Sequence, residues 1–349
     1  MASDTASNST LRLNPTESAS ERFAAALALI PELTQVEELI RASFRSDVAP
    51  MRDIPDYLLS LGGKRIRPAL TLLCAKAISD RPSTVSGDIL TIAAGIELIH
   101  MATLMHDDII DQSPVRRHKQ SPYAKFGTPL TLLSGDFLLT RAFGLCARLD
   151  DTVIAATEQA CIELVEGEAL ETPLHTELHS LDSSLKIAQR KTASLFRLAA
   201  FCAGHISGAS ADALQALARF GEALGVAFQV IDDVLDVTST EATLGKQPGL
   251  DIIERKPSIV NVLWLASGAT AAQRLRAAPI TGDESIFASE SIETLKTSSH
   301  VEQAKAIARS YGSRAIEALN EALPSSNYRS QPAAQALYAV VDFALERLK

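Results

Sequence analysis

Two copies of one acidic cluster constrain this 349-residue chain more than anything else in it: Asp107-Asp108-Ile-Ile-Asp111 and Asp232-Asp233-Val-Leu-Asp236. Each follows an apolar run, His100-Met-Ala-Thr-Leu-Met-His106 before the first and Val226-Ala-Phe-Gln-Val-Ile231 before the second. On a helix, positions three and four apart share a face, so Asp107 and Asp111 project together with Asp108 beside Asp111. Carboxylates so close repel one another, and burying them without compensation is costly. A cation has to supply that compensation. Clustered carboxylate oxygens suit Mg²⁺, which keeps some water and completes its octahedron with substrate phosphate oxygens. A solvated acidic patch is the plain alternative, but such patches lie on polar helix faces, whereas these close apolar ones. Both clusters also sit where a helix should stop, before Gln112-Ser113-Pro114 and Thr238-Ser239-Thr240, and the carbonyl end of a helix favours cations.

The sequence around them is helical almost throughout. Periodicity runs from about residue 21 to the end, with long helices expected near 88–111 and 209–237 and no β-branched alternation. The first cluster's helix, capped at Asp88, would run 24 residues to Asp111, about 36 Å. The expected fold is all-α: one helical bundle over 21–349 around a deep central cavity, the two acidic clusters facing each other across it. Residues 1–20 are polar and read as a disordered lead-in, too poor in Arg for a transit peptide. Residues 269–299, rich in Ala, Ser, Thr and Glu, read as a surface connection.

Composition narrows the partners. A net charge of −9 gives no global argument for nucleic acid, and no stretch approaches 18 uninterrupted apolar residues, so no transmembrane segment is expected. Four cysteines without ligand spacing read as small buried residues in a reducing compartment, and a cytoplasmic location is expected, with an organellar one as the alternative.

Cations gather locally instead. Gly62-Gly63-Lys64-Arg65-Ile66-Arg67-Pro68 places three at a helix start, where backbone N–H groups also attract anions. Arg116-Arg117-His118-Lys119 follows the first cluster, and adjacent guanidinium forks suit two different diphosphates. Lys191-Thr192, Lys246 and Lys256 add cations that singly read as surface lysines. Cations gathered around acidic metal sites in an acidic protein imply a small polyanionic substrate, and a metal-bridged diphosphate meets that description.

Together these motifs, with Leu-Ser-Gly-Asp at 133–136, resemble the trans-polyprenyl diphosphate synthase family, long-chain type, from about Tyr57 to the C-terminus. The resemblance implies a homodimeric isoprenoid-synthase bundle that condenses isopentenyl diphosphate head-to-tail onto an allylic diphosphate. It implies two or three Mg²⁺, or Mn²⁺ in their place, held by Asp107, Asp111 and Asp232 with help from Asp108, Asp233 and Asp236. Lys64, Arg67, His100 and Arg117 would bind isopentenyl diphosphate. Arg116, Lys191, Thr192, Gln229, Lys246 and Lys256 would bind the allylic diphosphate. Three positions depart from the pattern: His118 replaces a usual Gly, Lys256-Pro-Ser258-Ile-Val260 replaces Lys-x-Thr-Leu-Pro, and Glu254-Arg255-Lys256 replaces Glu-Gly-Lys.

Product length should depend on what plugs the cavity beneath the first cluster. Ala102 and Thr103 stand five and four residues before Asp107, where short-chain relatives carry aromatics, so an open tunnel is expected. The product would be hexaprenyl to decaprenyl diphosphate for a quinone side chain, released through contact with a membrane surface. The alternatives are a short-chain farnesyl or geranylgeranyl diphosphate synthase, a terpene cyclase on the same scaffold, and a floor set elsewhere with Ala102 and Thr103 only packing. Glu97-x-x-His100 could signal a di-iron bundle, but no second such pair exists. His106-Asp107 could suggest a phosphohydrolase, which would leave the second cluster unexplained. A non-catalytic subunit would be expected to have lost a cluster, and both are complete.

Overall fold

Polar residues ahead of apolar runs set where the helices begin. In the computed structural model, Ser18, Ser86, Ser121, Asp150, Ser180, Ser210, Ser258 and Ser298 each accept a backbone N–H from the first turn that follows. The structure describes residues 18–79, 84–244, 247–280, 282–323 and 325–346. In chain order the helices are α1 (Ala19–Ala28), α2 (Leu33–Ser43), α3 (Ala49–Ser60), α4 (Ile66–Ile78) and α5 (Gly87–Ile110). A two-stranded hairpin, β1 (Val115–Arg116) and β2 (Lys119–Gln120), leads to α6 (Pro122–Phe126), α7 (Thr128–Cys146) and α8 (Asp151–Leu170). Then α9 (Leu181–Ile187) passes through a π-helical turn, Ala188–Ala193, into α10 (Ser194–Ile206). The remainder is α11 (Ala211–Thr238), α12 (Glu241–Leu244), α13 (Leu250–Ile253), α14 (Ile259–Ala266), α15 (Glu284–Lys296), α16 (Ser299–Ala322), α17 (Ser326–Arg329) and α18 (Pro332–Glu346), with a 3₁₀ turn at Ala271–Arg276.

The two cluster-bearing helices are central. α5 packs on α7, α4, α2 and α10, while α11 packs on α16, α10 and the π turn. α5 is apolar on most sides, from Ile89 to Met105, as a helix enclosed by others must be. It is also long and apolar enough to cross a membrane, but two-thirds of that apolar stretch (67%) is buried in the protein core. A second apolar core joins the C-terminal half of α11 to α14, α15 and α16 through Val230, Val234, Trp264, Phe287 and Leu295.

Several expectations need correcting. The cap of α5 is Ser86, two residues before Asp88. Of the expected lead-in, residues 1–17 lie outside the described residues, while Ser18 already caps α1, a little ahead of the boundary at 21. The stretch 269–299 is not simply a connection, because α15 buries Phe287, Ala288, Ser291 and Leu295. Small and polar residues hide its inward stripe in the sequence. The short hairpin is a further addition to the expected elements. Its turn residues, Arg117 and His118, have φ of +52° and +63°, the pair of left-handed positions a type I′ turn needs. His118 therefore occupies a backbone conformation that glycine would adopt with less strain.

The π turn owes its position to two glycines. A Cβ at Gly167 of α8 would lie 2.5 Å from the Lys191 nitrogen, and one at Gly225 of α11 would lie 2.5 Å from Ala193 Cα. Both helices thus close on the turn at backbone distance. Gly225→Ala is expected to lower stability by about 1–3 kcal/mol in urea titration, as overpacking does; unchanged stability would show that α11 can shift away freely.

Candidate active site

The C-terminal ends of α5 and α11 bring both acidic clusters into one cleft with two lobes. The smaller, about 230 Å³, is lined by Asp107 and Asp111 on one side and Asp232, Asp233 and Asp236 on the other. The larger, about 750 Å³, holds Lys64, Arg67, His100 and Arg117. Leu104, Asp107, Lys191, Thr192, Gln229 and Asp232 line both, so the lobes are continuous.

Asp108 does not face the cleft. It is fully buried and accepts a fork from Arg116, with Nη2 at 2.7 Å and Nε at 3.0 Å from Oδ1. At the last turn of α5 its face points to the hairpin, so the help expected of it at the metal site would run through Arg116. Asp108 aims Arg116, and Arg116 lines the smaller lobe. Burial raises the Asp108 carboxyl pKa, while the Arg116 bond opposes the rise.

Two residues of the second cluster also hold backbone. Asp233 accepts the Ile259 N–H at 2.8 Å and the Gln229 amide at 2.9 Å, and Asp236 accepts the Asp251 N–H at 3.1 Å. Together they fix the segment carrying Lys256. Gln229 in turn accepts the Thr192 hydroxyl at 2.5 Å, linking α11 to the π turn. Such turns recur at functional sites because they re-aim side chains, and this one presents Lys191 and Thr192 to both lobes.

The two lysines sit among carboxylates. Lys191 Nζ lies 2.6 Å from Glu168 and 2.5 Å from Glu171; Lys256 Nζ lies 2.9 Å from Asp111 and 3.2 Å from Glu254. Burial works against the Lys191 charge, but Glu171, Asp107 and Glu168 outweigh it and hold its pKa above the usual lysine range. Burial likewise opposes the charge of Lys256, and Glu171, Glu254 and Asp111 override it. Asp107 shows the opposite balance: burial pushes its carboxyl up to about 7, with Lys191 resisting.

In the larger lobe Arg117 donates to the Gly62 carbonyl, and Lys64 lies over the Phe343 ring at 4.5 Å. His100 is held well below the usual histidine range by burial and then by Arg67, Arg116 and Arg117, so it is neutral. Arg67 Nε is buried with no hydrogen-bond partner among the described residues, and its guanidinium carbon lies 4.8 Å from the centre of the Phe196 ring. Thr103 lines this lobe, whereas Ala102 is fully buried in the core and does not. Lys246 lies outside the described residues.

Around the smaller lobe, seven carboxylates (those five plus Glu171 and Asp251) face three cations, Arg116, Lys191 and Lys256. Among the described residues no three ligand-type side chains close on one point. Oxygen ligands arranged around a space suit Mg²⁺, which takes much of its shell from water and phosphate.

A family model for polyprenyl synthetase matches residues 48–294, which contain every cleft residue named above from Lys64 to Lys256. The chain belongs to the polyprenyl synthetase family. It is 35% identical to the short chain isoprenyl diphosphate synthase of Methanothermobacter thermautotrophicus over 89% of this chain and 95% of that one. It is 34% identical to the nonaprenyl diphosphate synthase of Mycobacterium tuberculosis over 92% and 94%. A crystal structure of polyprenyl synthase from Caulobacter crescentus CB15, complexed with calcium and isoprenyl diphosphate, superimposes with a TM-score of 0.82 at 30% identity, covering 96% of this chain and all (100%) of that one. The protein is therefore a prenyl diphosphate synthase, an enzyme of the prenyl-transferring class.

The di-iron and phosphohydrolase readings fail on geometry. Glu97 faces Arg65 at 3.5 Å beside Arg67 and Arg117, and His106 lies 3.4 Å from Asp136 of α7, outside the cleft. Sequence reasoning missed Glu97, Glu168, Glu171 and Asp251 as cleft groups, and Glu254 as a partner of Lys256. The run Glu166-Gly-Glu168-Ala-Leu-Glu171 at a helix end was visible, but nothing in it said which cations it would meet.

The raised Asp107 pKa makes a prediction of definite sign. A carboxyl that binds its proton more tightly folded than unfolded favours the folded state at low pH, and that contribution is lost as pH rises from its ordinary 3.8 through about 7. In EDTA, wild-type stability minus that of Asp107→Asn should therefore fall across this window by urea midpoints. A flat or rising difference would contradict the account.

Proposed function

We propose that the smaller lobe binds the allylic diphosphate with Mg²⁺ and the larger binds isopentenyl diphosphate, and that the chain joins them head-to-tail into a long trans-polyprenyl diphosphate. The observation that carries this is the sorting of cations. Lys64, Arg67, His100 and Arg117 fall in one lobe, Arg116 and Lys256 in the other, and Lys191, Thr192 and Gln229 at the junction. Two anionic substrates thus have separate seats with a shared wall.

Asp107, Asp111 and Asp232 are the carboxylates we assign to Mg²⁺, with Mn²⁺ as a substitute. The bound ions would supply Lewis-acid stabilisation of the departing diphosphate. Arg116, Lys191 and Lys256 add fixed positive charge where the breaking C–O bond leaves negative charge. Leu104, Leu164 and Phe228 give the cleft an apolar wall that keeps water from the allylic cation. The alkene of isopentenyl diphosphate, held by Lys64, Arg67 and Arg117, attacks that cation. The proton then lost goes to the released diphosphate, so no protein base is required. Lys64, Arg67 and Arg117 argue against a cyclase, which needs no second diphosphate seat.

Thr103, not Ala102, is the residue in position to limit product length, since only Thr103 lines the lobe beneath Asp107. Its small side chain supports growth past four isoprene units, and the nonaprenyl relative covers as much of the chain as the short-chain one. With Mg²⁺, isopentenyl diphosphate and farnesyl diphosphate, mass spectrometry should show products of six to ten units, and Thr103→Phe should shorten them. Geranylgeranyl diphosphate as the end product, a cyclised hydrocarbon from allylic substrate alone, or a Thr103→Phe enzyme with unchanged products would each contradict this reading.

A homodimer is supported by apolar side chains left exposed on α7 and α8, namely Leu130, Leu132, Leu133, Ile162 and Val165. Light scattering should give twice the 37.3 kDa chain mass, and Leu133→Arg with Val165→Arg should give monomer. A wild-type monomer at working concentration would overturn the assignment.

A further inference from the structure

Arg255 departs from the family pattern, and its surroundings explain what it does. It stands in the turn between α13 and α14, one residue before Lys256, with φ at +58°. That left-handed conformation suits glycine, so a residue with a side chain must be held there by something else. The side chain is only 2% exposed and lines neither lobe. Its guanidinium donates to the Ile252 carbonyl at 2.9 Å and the Ile253 carbonyl at 3.2 Å, both on its own turn. Across the fold it donates to the Ala277 carbonyl at 3.3 Å and pairs with Glu284 of α15. Glu284 also accepts the Ile280 N–H at 2.8 Å, and the Phe287 ring lies 5.2 Å from the guanidinium carbon. Finally, the Arg255 carbonyl accepts the Leu174 N–H at 2.8 Å, three residues beyond Glu171.

The guanidinium ties the turn to the Ala277 carbonyl and to α15, and the Arg255 carbonyl ties it to the Leu174 segment. A planar guanidinium with several fixed donors can make the first two ties at once where an ammonium cannot. Lys256 itself is a long, flexible side chain whose Nζ is shared among Asp111, Glu254 and, at 4.0 Å, Glu171. Where its ammonium can reach depends on the backbone beneath it, which Asp233 and Asp236 hold from the cleft side and Arg255 from behind.

We propose that Arg255 is a positioning residue for Lys256: anchored to Glu284 and the Ala277 carbonyl, it makes α15 a buttress that sets where the Lys256 ammonium meets the allylic diphosphate. This deepens the proposed function and rests on its assignment of Lys256 to that diphosphate.

The test is a set of steady-state KM measurements for each substrate on full-length protein. Arg255→Gly removes the tether while relieving the backbone, Arg255→Lys keeps the charge without the fork, and Glu284→Gln weakens the anchor from the far side. Arg255→Gly should raise KM for farnesyl diphosphate about tenfold, because small displacements of binding groups are costly. KM for isopentenyl diphosphate should stay within about twofold, since its ligands lie in the other lobe. Arg255→Lys and Glu284→Gln should fall between, and they carry the test if Arg255→Gly does not fold. In a Lys256→Met background, Arg255→Gly should add nothing further, as residues acting through one group are not additive. Equal effects on both substrates, or additive losses with Lys256→Met, would show a general structural role and overturn the proposal. If Lys256→Met leaves the allylic KM unchanged, the assignment of Lys256 falls and takes this inference with it. If Lys256→Met raises that KM and the folded Arg255 and Glu284 variants do not, the positioning role alone fails.

Discussion

Seven carboxylates and three cations around a space of about 230 Å³ cannot all remain ionised without further positive charge. The rest of the site follows from that imbalance. Asp107 is pushed up to about 7 by burial, while Lys191 and Lys256 are held above their ordinary range by the acids around them, against the effect of burial. Divalent ions held there would offset the imbalance, and their remaining coordination positions would take phosphate oxygens. The helix ends contribute in the same direction, since Asp111 caps α5 and the second cluster lies in the last turns of α11.

The six aspartates are not equivalent. Asp107, Asp111, Asp232, Asp233 and Asp236 all line the smaller lobe, but Asp233 and Asp236 also hold backbone, and Asp108 lies outside the lobe altogether. Asp108 fixes a guanidinium, and Asp233 and Asp236 fix the backbone on which Lys256 is mounted. The repeated motif thus encodes two jobs, binding charge and holding the cations that surround it. A similar economy applies to the π turn, which presents Lys191 and Thr192 because Gly167 and Gly225 let two helices close on it. Positioning in this cleft comes as much from backbone approach as from side-chain chemistry.

Much of this was legible in the sequence. Apolar runs ending in paired acidic clusters gave two long central helices and a shared cavity. The basic motifs at 62–68 and 116–117 supply cations to the two lobes of the cleft. What stayed hidden involved long-range partners or small residues. Glu171 and Glu254 look like surface acids until Lys191 and Lys256 are placed beside them. α15 looked like a connection because its buried stripe includes Ala288 and Ser291. Ala102 and Thr103 are adjacent in sequence but about 100° apart on a helix, so one faces the core and the other the cleft. A linear reading could not tell which was which.

The central claim is that the cleft binds a diphosphate only together with divalent metal. Isothermal titration with a non-hydrolysable thio-analogue of farnesyl diphosphate tests it directly, in Mg²⁺ and in EDTA. The account requires binding in Mg²⁺ and at least about 100-fold weaker binding in EDTA. Equal affinity in the two conditions would mean that the lysines and arginines alone hold the substrate and that the two acidic clusters serve some other purpose.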